Sequence, residues 1–217
     1  MCIRDRYPTW VHEPRRAALL VDVEGRSCLV VGGGAAGAAK AARLADAGAA
    51  VTVVDPAPEA VATDDRLRIE RRGFRDADVA GSWLVVAATD DGALNDRVAA
   101  AAESAGVWVN RADRPDGGPA CLVAVHAQGP VQVAVGTSGL SPALGVWLRN
   151  RVAEAIGPSV GRLAELLAER GRDASGRRDH RGLPFERRVE RLRAGDEDGA
   201  RRLLGVPAGA GGRDGSR

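Results

Sequence analysis

Aromatic residues make up only 3% of the 217, too few to build the stacking platform that single-stranded nucleic acid requires. Lysine is scarcer still, with Lys40 the only one among 31 basic residues. The arginines crowd the C-terminal part of the chain with acids interleaved, which is the pattern of a solvated helical surface and not of a nucleic-acid groove. The net charge is only +2. Cys2, Cys28 and Cys121 are odd in number and lack metal-ligand spacing, which argues against a disulfide framework or a zinc site and suits a reducing cytoplasm. No apolar run approaches the ~20 residues needed to cross a bilayer. The opening MCIRDRYPTW has neither the apolar stretch of a signal peptide nor any periodicity, so residues 1–15 are expected to lie outside the fold, the first six or seven as an assembly artefact.

What is present points to an α/β protein. Ser27 to Val31 is a short apolar run ending in three glycines, as a buried parallel strand does. An Ala-rich helix is expected from Ala35 to Ala47, with Gly48 as its C-cap. Val51 to Val54 then forms a second strand ending in Asp55, which completes a βαβ unit. Further strands are expected at Leu67–Glu70, Trp83–Ala88 and Val107–Asn110, with a helix from Gly92 to Ala105. Such alternation builds a doubly wound parallel sheet over residues 16–112.

After Asn110 the pattern changes. RADRPDGGP is turn-rich, and CLVAVHAQGPVQVAVG reads as two strands around Gly129-Pro130. Ser141-Pro142 has the chemistry of an N-cap followed by a proline in the first helical position, opening a helix to Ile156. Residues 113–156 are thus expected to form a separate, strand-containing region. Helical patterns at Val160–Glu169 and Phe185–Leu204 make 157–205 a helical region, and 206–217 a disordered tail.

The chemistry concentrates at strand ends. Gly32, Gly34 and Gly37 form G-x-G-x-x-G between a strand and a helix, with Gly33, Ala35 and Ala36 completing the loop. Gly32 suits the tight turn, Gly34 the approach of a pyrophosphate, and Gly37 the packing of helix on strand. The helix N–H groups then meet the anion. Asp55, 18 residues after Gly37, can accept hydrogen bonds from an adenosine ribose and would repel a 2′-phosphate, favouring NAD over NADP. The bland alternative is a turn aspartate before Pro56. Thr89 and Asp90 can line the same cleft or cap the following helix, while Asn95 reads as a helix-surface residue. Asp113 leaves the fifth strand at the same sheet edge, although spacing alone makes it a loop aspartate. His126 alternates with apolar neighbours and is equally a structural or a solvent-facing histidine.

Four blocks, GRSCLVVGGGAAGAAKAARLADAGAAVTVV, WLVVAATDDGALNDRV, VNRAD and GPVQVAVGTSGLSPALGVWLR, resemble in order and spacing the precorrin-2 dehydrogenase/ferrochelatase module of siroheme synthases, from about Gly25 to Ile156. The resemblance implies a homodimer that oxidises precorrin-2 to sirohydrochlorin with NAD as acceptor, and it leaves insertion of Fe2+ open. It places that family's aspartate, a general base that also acts in metal insertion, on Asp113. The family's hydroxyl-rich loop falls on Thr137, Ser138 and Ser141, and its helix lysine on Lys40. A substrate rich in carboxylates further suggests Arg111 and Arg114 as contacts. Pro119-Ala120-Cys121-Leu122-Val123 stands where the family has Phe-x-x-Pro, a departure in the wall of the tetrapyrrole pocket. Two rivals stay open, a chelatase that no longer oxidises and a regulatory module that senses NAD.

Overall fold

The computed structural model describes residues 16–61, 64–114, 117–169 and 185–206; the expectations for residues 1–15 and for the tail beyond 206 lie outside them. The chain divides into two compact units. One contains the residues up to Leu122 together with Ser138–Ser141, and the other contains Val123–Thr137 and the residues from Pro142 onward. The regions expected at 113–156 and 157–205 therefore share one unit for most of their length.

In the first unit, β1 (Ser27–Val31), β2 (Ala50–Val54), β3 (Arg68–Glu70), β4 (Leu84–Ala87) and β5 (Trp108–Arg111) form a five-stranded sheet in the order β3-β2-β1-β4-β5. Every pairing is parallel. Strand alternation sends successive side chains to opposite faces, which builds two cores. Cys28, Val30, Val51, Val53, Leu84 and Val86 pack under α1 (Ala35–Asp46) with Ala41 and Leu44. Leu29, Val31, Val85, Ala87 and Val109 pack under α2 (Gly92–Ser104) with Val98, Ala99 and Ala102. Burial on both faces is why these strands read as continuous apolar runs. Each fully buried valine adds roughly 1.5–3 kcal/mol.

Helix α1 ends one residue earlier than expected. Its C-cap is Ala47, and Gly48 follows at φ 83°. At the start of α2 the cap is neither Thr89 nor Asp90 but Asp91, whose carboxylate accepts from the N–H groups of Ala93 and Leu94 at 2.9 and 3.1 Å.

In the second unit, β6 (Ala124–Gln128) and β7 (Val131–Val135) pair antiparallel, with Gln128 opposite Val131 across the two-residue Gly129-Pro130 turn. Both strands pack on α3 (Pro142–Glu169). Helix α3 is interrupted at Gly157, at φ 62° and ψ 174° just before Pro158, so its first segment ends at Ile156 as expected. The helix expected over Phe185–Leu204 is two, α4 (Phe185–Arg193) and α5 (Glu197–Leu204). Gly195 takes φ 76°, and Asp196 caps α5 by accepting from the Gly199 N–H at 2.8 Å. Leu163 and Leu166 of α3 meet Ala200, Leu204 and Val206 in a small core. Arg162–Glu197 and Arg201–Glu169 ion pairs clasp α3 to α5.

Candidate active site

The carboxyl ends of β1, β2, β4 and β5 lie along one edge of the sheet. Because β2 and β4 flank β1 on opposite sides, the crevice beyond β1 is the topological switch point where open α/β sheets bind ligands. The glycine loop occupies it. Gly32 takes φ 107°, and a Cβ there would fall 2.6 Å from the Ala88 backbone carbon, so only glycine lets the loop turn against β4. At Gly37 a Cβ would come within 1.8 Å of the Gly32 oxygen, which fixes how closely α1 approaches the loop. Space above Gly34 is open, with no protein atom within 4 Å of an added Cβ.

Helix α1 presents its N-terminus to that opening without a side-chain cap and without an acid in its first turn. Exposed Ala35 and Ala36 supply its first N–H groups, a positive helix end suited to a pyrophosphate. Asp55 follows β2 and reaches back into the loop. Its Oδ2 accepts from the Gly33 N–H at 2.6 Å and its Oδ1 from the Ala57 N–H at 2.6 Å. Two backbone donors thus fix a carboxylate beside the glycine loop, with lone pairs left for ribose hydroxyls. The loop, the helix end and Asp55 together fit a dinucleotide.

Beyond β4, Thr89 is held from several directions. Its single hydroxyl hydrogen is shared between Asn95 Oδ1 at 2.8 Å and the Asp91 carbonyl at 3.0 Å, and its N–H donates to Asn95 Oδ1 at 3.1 Å. Asn95 Nδ2 donates to the Thr89 carbonyl at 2.9 Å. Asn95 is fully buried, contrary to its reading as a surface residue. The missed signal is periodicity: Asn95, Val98, Ala99 and Ala102 sit at i, i+3, i+4 and i+7, on the face that packs on the sheet. Asp90 beside it is exposed.

Past β5, Asp113 is bonded bidentately by Arg111, whose Nε and Nη2 donate at 3.0 and 2.6 Å. The Arg111 guanidinium beside it holds Asp113 below the usual carboxylate range, against the opposing effect of desolvation. Arg111 is itself buried, 3% exposed at its side chain, and also pairs with Asp96. Its guanidinium is therefore committed within the protein, where it orients Asp113. Arg114 is exposed and pairs with Asp96 at 2.7 Å.

The remaining expected residues stand apart from this set. Lys40 is half-buried on α1, held below the usual lysine range by burial and then by Arg43. Thr137 belongs to the second unit, while Ser138 and Ser141 belong to the first. Ser138 takes φ 51°, the only positive value outside glycine among the described residues. His126 lies on β6 opposite Val133, its Nε2 buried without a hydrogen-bond partner. Ala120 and Leu122, in the segment that departs from Phe-x-x-Pro, pack against the core under α1.

Residues 19–124 match the family described as "Putative NAD(P)-binding". The chain is 43% identical over 146 residues to a siroheme synthase of Methylococcus capsulatus, covering 65% of this chain and 31% of that one. It is 44% identical over 146 residues to a siroheme synthase of Thioalkalivibrio sulfidiphilus, covering 65% and 30%. The chain thus spans about a third of the length of these relatives. A solved structure titled "SirC, precorrin-2 dehydrogenase" superposes with a TM-score of 0.64 at 24% identity, over 87% of this chain and 98% of that one, so the fold is shared. The glycine loop and the five-stranded parallel sheet thus go with a sequence that is similar to siroheme synthases over about a third of their length.

Proposed function

We propose that the chain oxidises precorrin-2 to sirohydrochlorin with NAD+ as acceptor. The observation that carries this reading is the meeting, at one sheet edge, of a dinucleotide loop with a carboxylate held by a buried guanidinium: Asp113, bonded bidentately by Arg111. The siroheme synthases and the precorrin-2 dehydrogenase to which the chain is similar favour the tetrapyrrole as substrate.

Gly32–Gly34, with the N–H groups of Ala35 and Ala36, would bind the pyrophosphate and Asp55 the adenosine ribose, orienting the nicotinamide toward the ends of β4 and β5. When bound there, NAD+ supplies the hydride acceptor. Two hydrogens leave the macrocycle in each oxidation, one as hydride to the nicotinamide and one as a proton. Asp113 receives the proton on a carboxylate oxygen. Its depressed pKa keeps it ionised at neutral pH and makes it a weak base, which suffices because loss of hydride leaves a cationic, strongly acidic carbon skeleton. The same carboxylate would take pyrrole N–H protons if Fe2+ were a second substrate.

Arg114 and the hydroxyls of Ser138 and Ser141, all in the first unit, are the groups proposed to meet the substrate carboxylates. A homodimer is proposed through the second unit, where α3 exposes Val146 and Trp147 and the β6-β7 pair is only two strands wide. No described helix is long and apolar enough to cross a membrane.

Asp113→Asn tests the reading. Asparagine keeps the size and one acceptor for Arg111 but cannot take the proton. NAD+ binding should persist while oxidation falls by the ~10²-fold typical of a lost general base. Turnover within a few-fold of wild type would remove Asp113 from the reaction.

A further inference from the structure

Pro58 is buried in a stretch that is otherwise exposed. Pro56, Ala57, Glu59 and Ala60 face solvent, yet the Pro58 ring is among the fully buried side chains. It packs on the glycine loop. A Cβ at Gly33 would fall 2.7 Å from Pro58 Cβ, 2.9 Å from its Cα and 3.2 Å from Asp55 Cβ, so Gly33 is held between Pro58 and the acid with room for no side chain. The tight turn is made at Gly32 and the approach of α1 at Gly37. What requires a glycine between them is the closeness of Pro58.

The segment that carries Pro58 is fixed at both ends. The Asp55 N–H donates to the Glu70 carbonyl of β3 at 3.1 Å, and Val61, at the end of a 3-10 turn from Glu59, is buried in the core under α1. Between these anchors both Asp55 oxygens are taken by backbone donors, Gly33 and Ala57, at 2.6 Å each. Proline fixes its own φ at about −65° and restricts the residue before it as well, which leaves Ala57 and Pro58 little freedom to carry the second donor away. To turn outward, the carboxylate must lose two hydrogen bonds at once and lift the Pro58 ring off Gly33. An aspartate free to rotate has no such constraint and swings aside when a 2′-phosphate arrives, whereas a fixed one keeps its repulsion in place.

We propose that Pro58 is a specificity-determining positioning residue of the dinucleotide cleft: closed against Gly33, it locks the Asp55 carboxylate so that NADP+ meets a charge that does not yield. The proposal rests on Asp55 as the ribose acceptor. Pro58 itself touches no nucleotide in this account and acts through the loop and the acid.

The test titrates NAD+ and NADP+ calorimetrically into the full chain, as wild type and as Pro58→Gly, at one ionic strength. Pro58→Gly removes the ring from Gly33 and frees the backbone at 58 while leaving Asp55 in the chain. The ratio of the two Kd values should contract by about threefold or more, NADP+ binding more tightly and NAD+ more weakly. Pro58→Ala keeps the Cβ that meets Gly33 and frees only the backbone, so it should contract the ratio less; it also stands in if the glycine variant does not fold. Loss of packing alone lowers the melting temperature and weakens both nucleotides alike. A ratio unmoved in the folded variants therefore overturns the proposal, and contraction of the ratio in Asp55→Asn then shows that the ribose assignment survives it. A wild type that binds NAD+ and NADP+ equally overturns the ribose assignment, and the part of Pro58 with it.

Discussion

Removing the charge of Asp55 while keeping its shape separates the two roles the structure gives it. In Asp55→Asn the amide oxygen can still accept from the Gly33 N–H, the contact that spans 2.6 Å in the wild type, while the Ala57 N–H loses its acceptor, a cost that falls on both nucleotides alike. What changes is the field where an adenosine 2′-substituent lies. Unit charges 4 Å apart at a protein surface interact by about 4 kcal/mol at an effective dielectric near 20. Asp55 is only half-buried, and water and salt screen the pair, so ~1–2 kcal/mol is the reasonable penalty on a 2′-phosphate. That corresponds to NAD+ over NADP+ by roughly 5- to 30-fold in the wild type. In Asp55→Asn the ratio should contract to within about threefold, mainly through tighter NADP+ binding, while NAD+ loses ~1 kcal/mol with the charge-assisted ribose bonds. Calorimetric titration of both nucleotides into both proteins at one ionic strength measures the four constants. A wild type that binds the two equally, or a variant that keeps the full preference, would refute the ribose assignment.

Other outcomes follow from the same geometry. Gly37→Ala drives a methyl group into the Gly32 carbonyl and should abolish NAD+ binding measurable by calorimetry, with a fall in melting temperature from the displaced helix. The Arg111 pairing depresses the Asp113 pKa, so kcat should stay flat on the acid side past the ordinary carboxylate range and fall only below it, as the pH drops through the folded-state value. Arg111→Met should bring that limb upward in a pH–rate profile. Glu197, held to about 2 by Arg162 first and then Arg201, ties α5 to α3 at any pH above its unfolded value near 4.5 and releases it as the pH falls toward 2. Glu197→Gln should accordingly lower the melting temperature at pH 7 and narrow the gap as the pH falls toward 2. Trp147→Asp should convert a species of twice 22.5 kDa into a monomer by light scattering if α3 forms the dimer contact.

Most of the first unit was legible because β1, β2, β4 and β5 are largely buried on both faces. Ser27–Val31 was read to the residue, and the other four strands to within one residue at either end. The Gly129-Pro130 turn and the Ser141-Pro142 helix start also announce themselves through local backbone chemistry. The break between α4 and α5 was hidden because the arginine-rich helical pattern runs through Gly195, whose turn depends on Asp196 capping the next helix. Asp91 was passed over as the cap because Thr89, Asp90 and Asp91 are all competent, and only the path of β4 selects among them. Asn95 was misread for a different reason. Polarity suggested water, whereas helical period placed it on the sheet, where its carboxamide meets Thr89 in the loop that precedes its own helix. The bidentate Arg111–Asp113 pair likewise depends on the strand end turning back on itself, which spacing does not reveal.

The central claim is tested most directly by anaerobic incubation of the purified full chain with precorrin-2, following visible absorption of the macrocycle and absorption of the reduced nicotinamide together. The account predicts no change without nucleotide and, with NAD+, conversion to the sirohydrochlorin spectrum with one NADH formed per macrocycle oxidised. A protein that binds NAD+ yet leaves the precorrin-2 spectrum unchanged and forms no NADH would contradict it.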